Sequence, residues 1–148
     1  MSSSEPPSVL LVENSSTYAE LTIHALGTCK ARPVVTWLSS PRDAVLYIRR
    51  AKQYADRRHG LLPALVLFDI EIAGVETVER IKHDPVTVCT PIVILGSRDD
   101  AVMIQKCLEL GANSYIIRPV TAAAYFQTIA GVGDYWLELN AHNFTAAA

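Results

Sequence analysis

Short apolar runs recur along this chain, each closed by a polar residue and each followed by a stretch long enough for a helix. Nothing else in the sequence constrains the fold so tightly. Val9-Leu10-Leu11-Val12 runs into Glu13-Asn14, and Pro33 to Leu38 forms the next run. Ala64-Leu65-Val66-Leu67-Phe68 ends in Asp69, Pro91 to Leu95 ends in Gly96-Ser97, and Ser114 to Ile117 ends in Arg118-Pro119. Runs that are mostly apolar, without alternation, read as strands buried on both faces.

The intervening segments carry helix signals. Thr17-x-x-Glu20 has the spacing of a capping box and predicts a helix to about Cys29. Ser40-Pro41 predicts an N-cap followed by proline at the first helical position. That helix sets Ala44, Val45, Ile48 and Ala51 on one face and Arg49, Arg50 and Lys52 on the other, and extends towards His59-Gly60. A short helix is expected from Val75 to about His83. Another starts at Asp99 or Asp100, with Ile104, Cys107 and Leu108 sharing a face and Gly111 as its stop. The last starts near Thr121. Strands alternating with helices imply right-handed crossovers and a parallel sheet with helices on both faces, an α/β fold.

In such sheets the working site lies beyond the carboxyl ends of the strands. The residues expected there are Glu13, Asn14, Asp69, Gly96, Ser97 and Arg118. An ionised carboxylate at the end of a buried strand is costly without partners. Asp69 is therefore expected to meet the acidic end of the first strand and the cationic end of the fifth.

Composition narrows the class. Half of the 148 residues are hydrophobic, which suits one domain with a real core. The expected division is a tail over 1–7, a domain over 8–139 and a second tail over 140–148. A formal net charge of -2 lacks the basic excess of an electrostatic nucleic-acid binder. Cys29, Cys89 and Cys107 have no paired spacing and read as small buried hydrophobes of a reducing compartment. His24, His59, His83 and His142 show no ligand spacing. The opening MSSSEPPS has neither the basic nor the apolar region of a signal peptide, and no apolar run approaches the ~20 residues of a membrane span. The expectation is a cytoplasmic protein with no membrane or nucleic-acid partner.

From residue 8 to about 138 these positions resemble the receiver domain of two-component response regulators. That resemblance implies a flavodoxin-like, doubly wound, five-stranded sheet, and a phosphoryl group accepted from a sensor histidine kinase on the aspartate after strand three, here Asp69. DIEIAGVET stands where the family often has Asp-x-x-x-Pro-Gly-x-x-Gly: Gly74 matches, Ala73 replaces the proline and Thr77 the glycine. The family's acidic pair, which binds Mg2+, is represented by Glu13 and Asn14, with Asp69 and the backbone carbonyl of Glu71 completing the implied ligands. Asn14 offers an oxygen without charge, so weaker Mg2+ binding is expected. Gly96 replaces the family's hydroxyl switch residue, with Ser97 one position late. Arg118-Pro119 replaces Lys-Pro, and Tyr115 matches the aromatic switch position. The segments RRAKQYADRRHGLLP, IKHDPVTVCTPIVIL and YWLEL further resemble single-domain response regulators that partner bacterial phytochromes.

Several positions support two readings. Arg118 either clamps a phosphoryl group or closes the site in a plain salt bridge with Asp69. Ser97 either supplies the missing phosphoryl-binding hydroxyl or is an ordinary loop serine. Tyr115 either switches rotamer or is a half-buried strand tyrosine. Glu71 and Arg98 carry opposite charges at the mouth of the site and suggest a salt bridge over Asp69. In the last helix Tyr125, Phe126, Ile129, Val132 and Trp136 follow helical spacing, while Gly131 and Gly133 each cost about 1 kcal/mol relative to alanine. The stripe of Tyr125, Ile129, Val132 and Trp136 is expected to form a homodimer through the fourth helix, fifth strand and final helix; the alternative is a monomer in which it packs inward against the sheet. Three functions compete: a stand-alone receiver without an output domain, a phosphorylation-independent pseudo-receiver, and an enzyme. The third rests on a faint likeness of Asp69-Ile70-Glu71 and Leu95-Gly96-Ser97 to haloacid-dehalogenase phosphatase motifs, and the expectation is that the chain is not an enzyme.

Overall fold

The computed structural model describes residues 6–49, 62–85, 87–97 and 99–140. Strands β1 (Ser8–Val12), β2 (Val34–Leu38), β3 (Leu65–Asp69), β4 (Ile92–Gly96) and β5 (Ser114–Ile117) alternate with helices. The helices are α1 (Ser16–Gly27), α2 (Pro41–Arg49), α3 (Ile70–His83), α4 (Ala101–Glu109) and α5 (Ala122–Asp134), and a π-helical turn, Tyr135–Leu139, follows α5. The five strands form one parallel sheet in the order β2-β1-β3-β4-β5, with β3 at its centre.

The apolar runs now have their reason. Alternate side chains of each strand enter different cores, so both sets must be apolar. Leu11, Leu65, Leu67 and Leu95 pack with Ala19, Leu26, Tyr125 and Ile129 of α1 and α5. Leu10, Phe68, Ile92 and Ile94 pack on the other face with Ile48 of α2, Val78 and Ile81 of α3, and Cys107 of α4. Register brings the carboxyl ends level: Val12 lies opposite Phe68, Asp69 opposite Leu95, and Gly96 opposite Ile117.

Local chemistry sets the boundaries, and two differ from the sequence reading. Ser15, not Thr17, caps α1: its side chain accepts the Tyr18 N–H at 3.3 Å. Glu13 takes the Ser15 N–H at 3.2 Å, which turns the chain directly out of β1 into the helix. Helical structure also begins before Val75, because Asp69 itself caps a first turn at Ile70. Gly74, with φ 69°, breaks that turn from the expected helix, a conformation that favours glycine. Ser40 and Asp100 cap α2 and α4 as expected, and Thr121 caps α5. Within α4 only Cys107 is buried; Leu108 is exposed, so the apolar face is narrower than the spacing suggested. The extension of α2 through Arg50, Ala51 and Lys52 to His59, the segments 1–5 and 141–148, and Arg98 lie outside the described residues.

The stripe on α5 packs inward, against the expectation of an interface. Tyr125, Ile129 and Val132 are buried in this chain's own core, and Trp136 is partly buried against it. The physical reason lies in Gly133. A Cβ there would meet the Cys29 Sγ at 2.5 Å and the Leu26 Cδ2 at 2.9 Å, so this glycine admits the close approach of the α1 side of the same chain. Gly131 faces open space.

Candidate functional site

The sheet delivers Glu13, Asp69 and Arg118 to one point. Glu13 follows β1 and is held by its backbone: its N–H donates to the Leu38 carbonyl at 3.0 Å, and its carbonyl accepts the Trp37 indole N–H at 2.6 Å. Asp69 is the last residue of β3. Arg118 follows β5, and its N–H donates to the Gly96 carbonyl at 2.7 Å. All three side chains are withdrawn from water, with residue exposures of 1% for Glu13, 5% for Asp69 and 8% for Arg118.

The guanidinium of Arg118 joins the two acids. Nη1 donates to Asp69 Oδ2 at 2.9 Å, and Nη2 donates to Glu13 Oε1. The other carboxylate oxygens take backbone N–H groups. Asp69 Oδ1 accepts from Glu71 at 2.8 Å, and Glu13 Oε2 accepts from Ser15. Arg118 Nε is buried without a hydrogen-bond partner. The planar cation lies 4.3 Å from the Tyr18 ring centroid and 5.8 Å from that of Tyr125, and these rings meet edge to face at 5.2 Å. Thr22 fixes the Tyr125 hydroxyl at 2.7 Å.

Charge follows from this geometry. Burial pushes the Glu13 carboxyl above the ordinary glutamate value, and the neighbouring Arg118 only partly opposes that. Burial pulls the Arg118 guanidinium the other way, but the Asp69 hydrogen bond and the Glu13 charge outweigh it, so it stays a firm cation.

The remaining expected site residues divide. Asn14 stands exposed beside Glu13. Ser97 is exposed, and its hydroxyl donates to Glu71 Oε2, as does its N–H at 3.3 Å, so the Ser97 hydroxyl is spent at the rim. The salt bridge expected between Glu71 and Arg98 rests on a residue outside the described ones. Gly96 and Tyr115 are brought together. A Cβ on Gly96 would meet Tyr115 Cζ at 2.7 Å and Cε1 at 2.9 Å, with the hydroxyl closer still. The phenol therefore fills the space that a side chain at residue 96 would take. Burial raises the Tyr115 phenol, with the charges of Cys107, Asp100, Glu71 and Asp69 adding to it. Sequence reasoning missed Tyr18 and Thr22. Their spacing, one helical turn apart at the start of the first helix, was the available signal.

An aspartate at the end of the central parallel strand, an acid after the first and a buried cation after the fifth make up the arrangement expected of a receiver domain. The chain belongs to the response regulator receiver domain family, whose model matches residues 9–130. It is 26% identical over 139 residues to the probable methanogenesis regulatory protein FilR2 of Methanothrix harundinacea (strain 6Ac), covering 92% of this chain and 87% of that one. Two further curated relatives are much longer: the chain spans 14% of a probable cyclic di-GMP phosphodiesterase of Vibrio cholerae and 6% of histidine kinase P4 of Formosa agariphila. Among solved structures, the phosphorylated cyanobacterial phytochrome response regulator RcpA superposes with a TM-score of 0.85 at 25% identity, over 93% of this chain and 98% of that one. The Mn2+-bound form of response regulator Rcp1 superposes with a TM-score of 0.86 at 23% identity, over 93% and 99%, a likeness of fold.

Receiver-domain response regulators are generally non-enzymatic signalling proteins that interact with histidine kinases and bind Mg2+ at the active site. In this chain the donor set does not fit that ion as arranged. Mg2+ demands a near-octahedral shell of oxygens at ~2.0–2.1 Å. Here one oxygen of each buried carboxylate faces a guanidinium cation that a metal would have to displace. Among the described residues no group of three or more His, Cys, Asp or Glu side chains is gathered to hold a metal. None of the described helices is long and apolar enough to cross a membrane.

Proposed function

We propose that this chain is a cytoplasmic, non-enzymatic receiver in which Asp69 accepts a phosphoryl group from a phosphohistidine of a sensor histidine kinase, of the phytochrome class by analogy with RcpA. The observation that carries this reading is the position of the Asp69 carboxylate, between the Glu71 N–H and the Arg118 guanidinium. An Asp69 oxygen forms a bond to phosphorus while the bond from phosphorus to the histidine nitrogen breaks, and that nitrogen keeps the electron pair. Arg118 and the Glu71 N–H are charge-assisted donors for the phosphoryl oxygens once Asp69 is esterified.

The expected homodimer is proposed to use a surface other than the buried α5 stripe. Val102 and Leu108 of α4, Ile117 of β5 and Val120 beyond it are all exposed. Light scattering over a concentration range tests this, and a monomer mass throughout refutes it.

Intact mass after incubation with acetyl phosphate, with and without Mg2+, tests the acceptor. One added phosphoryl group in wild type and none in Asp69→Asn is expected. No gain in wild type favours the second reading, a phosphorylation-independent binding module. The observation on that side is the same Arg118, which already satisfies both acids.

A further inference from the structure

Two buried carboxylates near one another at the end of a sheet need compensating positive charge. In this chain the compensation is built in. A guanidinium is a rigid planar fork, so one Arg118 reaches Asp69 through Nη1 and Glu13 through Nη2 at the same time. An ammonium on a lysine stem is a compact point charge without that fork. The fork is itself held from several sides. The Tyr18 ring covers it at 4.3 Å, Tyr125 stands behind Tyr18, and the backbone N–H of Arg118, at the root of the side chain, donates to the Gly96 carbonyl. Asn14, the neighbour of Glu13, adds no third negative charge and stands exposed.

We propose that Arg118 is the resident cation of this site: it compensates Glu13 and Asp69 without metal, and a divalent cation gains a binding site between them only when the guanidinium is removed or withdrawn. The two positive groups compete for the same carboxylate oxygens, and a divalent ion close beside a guanidinium is repelled. The site is thereby closed to metal by the chain's own side chain, independently of whether Asp69 is ever phosphorylated.

The test is Mn2+ binding, measured by electron paramagnetic resonance on the full chain with no phosphodonor present. Wild type is expected to show no saturable site at millimolar Mn2+. Arg118→Ala is expected to bind at least tenfold more tightly than wild type, and Arg118→Ala combined with Asp69→Asn to lose that gain. Where Arg118→Ala does not fold, Arg118→Lys carries the test, because lysine lacks the fork and leaves one carboxylate open. Thermal melts give a second readout: Mn2+ raises the midpoint of the Arg118 variant and leaves that of wild type unmoved. Saturable binding in wild type equal to that of the folded variant overturns the proposal, as does a folded variant with no gain. Because no phosphoryl transfer is read, either result leaves the acceptor role of Asp69 to its own experiment.

Discussion

Gly96 and Tyr115 offer the sharpest energetic test of the site. In Gly96→Ala the new methyl would lie 2.7 Å from Tyr115 Cζ and 2.9 Å from Cε1, inside the distances that carbon atoms tolerate. The backbone cannot yield easily, because β4 is hydrogen-bonded to β3 on one side and β5 on the other. The tyrosine ring, only partly buried against the core, must therefore swing away. Overpacking of this kind costs about 1–3 kcal/mol. In a Tyr115→Ala background the clash has no partner, and the same methyl gains up to about 0.5–1 kcal/mol from the glycine entropy it removes. The coupling between the two positions is thus on the order of 2 kcal/mol, large for a pair in contact. Urea unfolding of wild type, both single variants and the double variant measures it. A second readout is alkaline titration of tyrosine absorbance. Burial holds the Tyr115 phenol above its ordinary value of 10.0, so the expelled ring in Gly96→Ala ionises at lower pH than in wild type. Additive variants with an unchanged titration would refute the claim that the phenol occupies the place of a side chain at residue 96.

Glu13 has a folded-state pKa raised by burial, so its contribution to stability is fully present below the ordinary value of 4.5 and is lost as pH rises through the raised one. Glu13→Gln removes that dependence. Its stability minus that of wild type is expected to rise with pH across this window in a series of urea melts, and a flat difference would contradict the shift. Gly131→Ala, in open space, should stabilise by about 0.5–1 kcal/mol through helix propensity. Gly133→Ala should instead destabilise, because overpacking against Cys29 and Leu26 costs about 1–3 kcal/mol. Thermal unfolding of the pair reads the two opposite signs.

The sequence revealed the sheet because burial on both faces leaves a signature that survives without tertiary knowledge: Leu65 to Phe68 has no polar face to misread. The site was legible through one topological rule, that parallel strands present their working residues at the carboxyl ends. Glu13, Asp69 and Arg118 followed from it, and register supplies the reason they meet. What failed were questions of direction. Periodicity identified the stripe Tyr125, Ile129, Val132 and Trp136 but is blind to which surface receives it, and only the α1 contact at Gly133 decides that it turns inward. The cap of α1 was misassigned because Thr17 and Glu20 have the right spacing, whereas Ser15 has the right neighbour in Glu13. The stacking of Tyr18 on Arg118 joins residues a hundred positions apart, and no local pattern announces it.

The central claim is that Asp69 is the residue that takes the phosphoryl group. An aspartyl phosphate is reduced by borohydride to homoserine, so the modification can be trapped and read by peptide sequencing in a mass spectrometer. The full chain, treated with phosphoramidate and then with borohydride, is predicted to carry homoserine at residue 69 and nowhere else. An unreduced aspartate at 69 in every peptide, or homoserine at a different aspartate, would contradict the account.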